Sequence, residues 1–420
     1  MHVVVIGGGV IGTCTAFWLA RAGCTVTLLE RQPELAAEGS FANGGMLHAS
    51  HGEPWNSPQA VGQLLAWIGR EDSPLLLRPR RLPALVGWGL QFLRHSSRSR
   101  HQAATLANTR LARYSLEVMA VIRREAAIQD DGAQAGIAKL FRDQAQLEAA
   151  TRMSELLQEA GVPFERWTRA QLLAREPALA GCADRLVGAL YYPQDASGDA
   201  CLFTRQLGRY CQTLGVELRT GTAVHALVAT GDRIEAALTD QGRLEADQFV
   251  LANGPHAPRL LHPLGLRLPI EPVKGYSITL DVRGIDGLPR LPLIDDARKI
   301  VVTPLGARLR LAGTAEFAGF DDRIQPRRVR LLIAQLRELL PQREHELAAA
   351  PSSAWACLRP MSPDGVPIIG PTRFRNLWLN TGAGHMGWTI AAGAGRLLCD
   401  LMSGRQPALS PAAYLPARWL

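Results

Sequence analysis

The 420-residue chain exceeds what one hydrophobic core usually holds, and 47% hydrophobic with 20% charged residues is an ordinary globular balance, so two intermixed domains are expected. The net charge of +8 comes with no nucleic-acid-binding motif, which points to a solvated basic surface and no nucleic-acid partner. No apolar run reaches the ~18 residues of a spanning helix, and the scattered cysteines, with no C-x-x-C pair, exclude a zinc or iron–sulfur centre carried on this chain.

The first element is an apolar strand, Val3-Val4-Val5-Ile6, that runs straight into Gly7-Gly8-Gly9-Val10-Ile11-Gly12. This is a G-x-G-x-x-G turn between a buried strand and a helix predicted over 10–22. Gly7 permits the tight turn, Gly9 lets the backbone approach a pyrophosphate, and Gly12 lets the helix pack on the strand. The helix N-terminus offers unpaired N–H groups and partial positive charge to phosphates. A second strand, 25–29, ends in Glu30, an acid placed to accept hydrogen bonds from both ribose hydroxyls and to repel a 2′-phosphate. Residues 1–31 therefore form a βαβ unit with a dinucleotide site. With a strand this early no signal peptide is expected, and the chain is expected in the cytoplasm.

An irregular loop follows at 39–45, then helical patterns at 58–130 and 144–160. Within 60–101, Trp67-Ile68, Leu75-Leu76-Leu77, Leu85-Val86 and Trp88 alternate with Arg70, Arg78, Arg80, Arg81, Arg94, Arg98 and Arg100. Such helices suit the anionic inner face of a membrane, as a peripheral contact, or equally a core with solvated ends. Short strand-like pieces lie in 185–200, then a helix over 202–214 and a strand at 217–219. A meander is predicted from 224–228, 233–238 and 248–252, the last running into Asn253-Gly254. Strands return at 276–282, 299–302 and 308–313, with a helix at 327–340. The chain closes with a strand at 377–380, a Gly-rich turn at 382–387 and a helix over 389–402. That turn opens a helix as the first one does, so both ends of the chain are expected along one crevice.

Several longer motifs carry a resemblance. Glu30-Arg31, Ser40-Phe41-Ala42-Asn43-Gly44-Gly45, Pro272-Val273-Lys274-Gly275-Tyr276-Ser277 and Leu358-Arg359-Pro360-Met361-Ser362-Pro363-Asp364-Gly365 are similar to the FAD-dependent D-amino-acid oxidase superfamily. So are Asp195-Ala196-Ser197-Gly198-Asp199-Ala200-Cys201-Leu202-Phe203-Thr204, and in the tail Asn376-Leu377-Trp378-Leu379-Asn380-Thr381-Gly382 and then Gly387-Trp388-Thr389. The resemblance runs from residue 1 to about 405 and is nearest to the bacterial D-amino-acid dehydrogenases, the flavoprotein subunit. It implies a mixed α/β fold: a Rossmann-type FAD-binding domain from 1–80, 185–265 and 355–420, with an inserted antiparallel-sheet substrate domain from 81–184 and 266–354. The implied reaction oxidises a D-amino acid to an imino acid, hydrolysed to a 2-oxo acid and ammonia, with electrons passing to a quinone or another non-oxygen acceptor.

The resemblance also assigns roles. Arg359 takes the carboxylate-binding position, and a planar guanidinium suits that task. Tyr276 takes the position whose hydroxyl points at the same carboxylate, and Lys274 is placed to reach flavin N5 through a water. Gly7, Gly9, Val10, Ile11 and Gly12 face the pyrophosphate. Glu30 and Arg31 hold the adenosine end, and Ser40, Asn43, Gly44, Gly45 and Met46 wrap the pyrophosphate and flavin. Val224 lies under adenine, Asn253 and Gly254 near the ribose, and Gly384, His385, Met386 and Gly387 at the isoalloxazine. No Cys or His sits in a covalent-flavin motif, so noncovalent FAD is expected.

The chain departs from that family around the implied pocket. Met46 replaces Gln, His48 and His51 replace Ser and Tyr, and the final turn reads Gly-Ala-Gly-His-Met-Gly at 382–387 in place of Gly-His-Gly-Thr-Leu-Gly. Histidines add hydrogen-bonding capacity, so His48, His51 and His385 suit a substrate with an extra polar group. D-Proline or cis-4-hydroxy-D-proline is the alternative substrate. A further alternative makes the chain the flavoprotein subunit of a complex with small, cysteine-rich electron-transfer subunits.

Overall fold

The computed structural model describes every residue except 59–61 and 63–66. The start of the helical stretch predicted from 58 falls there, outside the described residues. Two sheets organise the rest. The first has six strands in the order Ile368–Pro371, Leu377–Thr381, Gln248–Leu251, His2–Ile6, Thr25–Leu29 and Glu217–Arg219. All neighbours are parallel except the outermost pair at Ile368–Pro371. After His2 the strand His2–Ile6 is apolar because both of its faces are covered. Val3 and Val5 pack into a helical layer, whereas Val4 and Ile6 pack against the three-stranded meander Val224–Thr230, Arg233–Thr239 and Gly242–Glu245.

The helical layer holds Val10–Arg21, Ala200–Thr213 and Gly387–Met402. Glycines set its close approaches: a Cβ on Gly395 would lie 2.9 Å from the Cys14 carbonyl carbon, and one on Gly393 would lie 2.8 Å from Ser115 Cα. The latter contact brings in the long helix Arg98–Glu125, whose Leu111, Ala112, Met119 and Ile122 share this core. This corrects the expectation that residues 81–184 belong wholly to the substrate layer.

The second sheet has nine strands. Its path runs Ser352–Met361, Glu271–Asp281, Arg308–Phe317, Ile300–Leu305, Leu293–Asp295, Ile137–Phe141, Gly188–Tyr192 and Glu165–Thr168, with Leu75–Leu77 pairing beside Arg308–Phe317. Most pairings are antiparallel; Leu293–Asp295 with Ile137–Phe141, and Leu75–Leu77, are parallel. The helix Pro326–Leu339 covers one face through Leu332, Leu336 and Leu339. The other face, carrying Val273, Gly275 and Ser277, looks toward the dinucleotide crevice, where Ser277 Oγ donates to the Ala42 carbonyl at 2.6 Å. Two further expectations are corrected. Residues 248–251 join the parallel sheet, not the meander, and the ten-residue strand Ser352–Met361 was not foreseen.

Candidate active site

One cavity of about 2420 Å³ runs between the two sheets. At its nucleotide end the glycine turn is as tight as its spacing demands. Gly7 has φ +114°, and a Cβ there would meet the Ala252 carbonyl oxygen at 2.7 Å. A Cβ on Gly12 would lie 1.8 Å from the Gly7 carbonyl oxygen, so Gly12 serves packing and does not line the cavity. Gly7, Gly9, Val10 and Ile11 do line it. Ser40 Oγ accepts from Val10 N at 3.0 Å, fixing the 39–45 loop over the helix N-terminus.

Glu30 is buried at the tip of its strand. Its two oxygens accept from Gly8 N at 2.7 Å and Gln32 N at 2.8 Å, and burial pushes its pKa up. Arg31 is held by Glu38 and His256. Asn43 Oδ1 accepts from Gly45 N, and the Gly44 carbonyl accepts from Thr303 Oγ1 at 2.7 Å. Met46 pairs with Ser197 in a short two-stranded ribbon. Asn253 Oδ1 is buried with no partner among the described residues, next to Gly254 at φ +55°. At the other end Gly384 N donates to the Pro360 carbonyl at 3.0 Å, and Gly387 starts its helix. Val224, Gly384, His385 and Gly387 line the cavity, whereas Met386 is buried behind it. A turn in which a Cβ at Gly7 or Gly12 would collide with backbone, a helix N-terminus, a carboxylate at the ribose position and an orphaned amide oxygen fit a dinucleotide such as FAD.

Beyond the flavin end a continuous wall of rings leads to a cation. The rings of His48 and His51 lie 5.5 Å apart, those of His51 and His385 6.0 Å, and His385 stacks on Trp55 at 5.8 Å. The Arg359 Cζ sits 5.9 Å from the Trp55 ring. His385 Nε2 donates to the His51 carbonyl at 3.3 Å, while His48 Nδ1 is buried without a partner among the described residues. Burial lowers all three histidines, His48 to about 3 and His385 to about 4, so the wall is neutral at ordinary pH. The peptide carrying His48 is held from behind: His48 N donates to Thr389 Oγ1, and Ala49 N to the buried carboxyl of Asp195. Burial pushes Asp195 up to about 7.

Arg359 carries no ion pair and no hydrogen bond to any described residue; its Nη1 is buried and unsatisfied, and burial lowers its pKa. The guanidinium lies over Gly275, where a Cβ would come within 2.2 Å of Nη1. A half-buried guanidinium whose Nη1 is buried and unpaired suits an anion from outside the chain.

Tyr276 and Lys274 correct the sequence reading. Side chains alternate along Glu271–Asp281, so Gly275 faces Arg359 while the side chains of Lys274 and Tyr276 turn to the opposite layer, although Tyr276 still borders the cavity. Tyr276 Oη donates to Glu316 at 2.6 Å instead of pointing at the carboxylate site. Lys274 is fully buried, 3.6 Å from Glu316 and bonded to the Arg323 carbonyl, and does not line the cavity. Sequence reasoning missed Trp55, whose place beside His385 has no local signal. It also missed Lys139, which lines the cavity and pairs with Asp296 at 2.9 Å.

Comparison with known proteins agrees with this geometry. Residues 2–401 match the family described as FAD dependent oxidoreductase. The chain is 45% identical over 411 residues to a D-amino acid dehydrogenase of Paramagnetospirillum magneticum, covering 98% of this chain and 97% of the other. It is 40% identical over 419 residues to a D-amino acid dehydrogenase of Bradyrhizobium diazoefficiens, covering 100% and 99%. Among solved structures, L-proline dehydrogenase from P. horikoshii matches with a TM-score of 0.79 at 18% identity, covering 99% of this chain and 97% of that one. Glycine oxidase from Geobacillus kaustophilus matches at 0.76 and 23%, covering 98% and 97%. These two share the fold.

Proposed function

The chain belongs to the FAD-dependent oxidoreductase family, and we propose that it oxidises a D-amino acid whose carboxylate is held by Arg359. The observation that carries this reading is the unpartnered guanidinium of Arg359 in the cavity that also holds the nucleotide cradle. The names of the 40–45% identical relatives support the D-amino-acid class. FAD, when bound, supplies a two-electron acceptor for the hydride on the substrate Cα.

The chain's own residues orient and exclude. Arg359 fixes the carboxylate in its planar fork, and Trp55 braces the guanidinium. The neutral His48, His51 and His385 add no positive charge of their own beside the substrate amine, and a neutral imidazole keeps one ring nitrogen as a hydrogen-bond acceptor. Loss of the amine proton and of the hydride yields the imino acid, which water converts to a 2-oxo acid and ammonia. A quinone or other non-oxygen carrier is the proposed acceptor. The helix Leu82–Arg94 supports contact with an anionic membrane, because Val86, Leu90 and Leu93 stand exposed near Arg80, Arg94 and Arg98.

The histidine wall supports a second reading, in which the substrate is D-proline or cis-4-hydroxy-D-proline and the ring or its hydroxyl meets these imidazoles. Arg359→Lys tests the anchor, since it keeps the charge and loses the fork. It should raise KM by about one to two orders of magnitude, and an unchanged KM would remove Arg359 from this role.

A further inference from the structure

We propose that Thr314 is a second ligand for the substrate carboxylate, its hydroxyl completing the set that Arg359 begins. The inference rests on the reading of Arg359 given above. The strands Glu271–Asp281 and Arg308–Phe317 lose register at one point: Gly275 pairs with Ala315 and Tyr276 with Gly313, which leaves Thr314 as the extra residue of a β-bulge. Its φ is +54°, the left-handed region that such a bulge ordinarily gives to glycine, and a β-branched side chain is strained there. Glycine would relieve the strain, so the side chain is kept at a cost.

The hydroxyl is what the strain retains. Thr314 Oγ1 is buried and has no hydrogen-bond partner among the described residues, yet Thr314 forms part of the cavity wall with Gly275, Ala315 and Arg359. A buried hydroxyl left unpaired is unfavourable unless a partner arrives from outside. Arg359, which lines the same cavity and has no hydrogen bond or ion pair to any described residue, marks what that partner is. Arg359 lies over Gly275, and Gly275 is the residue paired across the bulge, one strand spacing of about 4.8 Å away. A carboxylate offers about four lone-pair directions; the guanidinium fork takes two, and a neighbouring hydroxyl donates to a third.

The test uses the FAD-loaded enzyme and propionate, a carboxylate without the amine, with its Kd read from the shift of the flavin absorption band. Thr314→Gly relaxes the backbone and removes the hydroxyl; Thr314→Ser keeps the hydroxyl. Thr314→Gly should weaken propionate about tenfold and raise KM for D-alanine alike, the fold-change of one hydrogen bond to a charged group, while Tm stays equal or rises. Thr314→Ser should stay within about threefold. Unchanged propionate binding in Thr314→Gly would overturn the proposal, as would an equal loss in Thr314→Ser. Weaker FAD retention in Thr314→Gly, with propionate Kd unchanged once FAD is resupplied in excess, would give the hydroxyl to the cofactor and overturn it too. Arg359→Lys, run in parallel, separates the two readings: if it leaves propionate binding unchanged the anchor itself fails, whereas weakening there alone removes only Thr314.

Discussion

Replacing Gly275 by alanine moves Arg359 without altering it. A Cβ at Gly275 would lie 2.2 Å from Arg359 Nη1, 2.3 Å from Cζ and 2.4 Å from Nη2. Ordinary contact begins near 3.5 Å, so the guanidinium must retreat by about 1 Å. What yields is the end of a flexible side chain, and Gly275 sits in an extended strand that accepts alanine, so stability should change by less than about 1 kcal/mol. Catalysis is less forgiving, because a displacement of about 1 Å in a positioning group costs up to roughly 10²-fold. Steady-state turnover of D-alanine with an artificial dye acceptor, beside a melting curve and the flavin spectrum of the same sample, reads all three quantities. KM should rise by about 10- to 100-fold with Tm and FAD content preserved. A KM within about twofold of the parent, in a well-folded holoenzyme, would mean that no carboxylate is clamped where Arg359 stands.

Two further outcomes follow from the same wall and cradle. Burial holds His48 neutral down to about pH 3, whereas the unfolded chain protonates it near 6.5, so as pH falls through that window the unfolded state gains a proton that the folded state refuses and stability drops. His48→Gln should flatten the decline of stability between pH 6.5 and about pH 4.5, by about 3 kcal/mol at the acid end, and parallel curves for the two proteins would refute this. Acid precipitation of the holoenzyme should release the yellow flavin into the supernatant; colour remaining with the pellet would show a covalent link.

The nucleotide half was legible because its constraints are local. A Cβ on Gly12 would collide with the Gly7 carbonyl whatever the rest of the chain does, and Glu30 sits at the end of a strand that the apolar run already marks. The substrate half depends on parity. Along Glu271–Asp281 both faces are buried, so the sequence shows no polar–apolar alternation to say which face meets the cavity, and Lys274 and Tyr276 were placed one residue out of phase. The strand Ser352–Met361 was hidden because Pro360 and a mixed composition read as loop. The helix Arg98–Glu125 was recognisable as a helix, but its docking on Gly387–Met402 is decided by small residues far away in the chain, such as Gly393. His48, His51 and His385 were singled out by their motifs and do meet in space; Trp55, which joins them to Arg359, had no motif to announce it.

Anaerobic reduction of the bound flavin tests the proposed reaction most directly. D-alanine, D-proline, cis-4-hydroxy-D-proline and their L-forms are added separately, and bleaching of the flavin band is followed without any acceptor. Bleaching by D-forms alone is expected, with the fastest of them identifying what the histidine wall selects. Bleaching by L-forms, or by none of the six, would contradict oxidation of a D-amino acid anchored at Arg359.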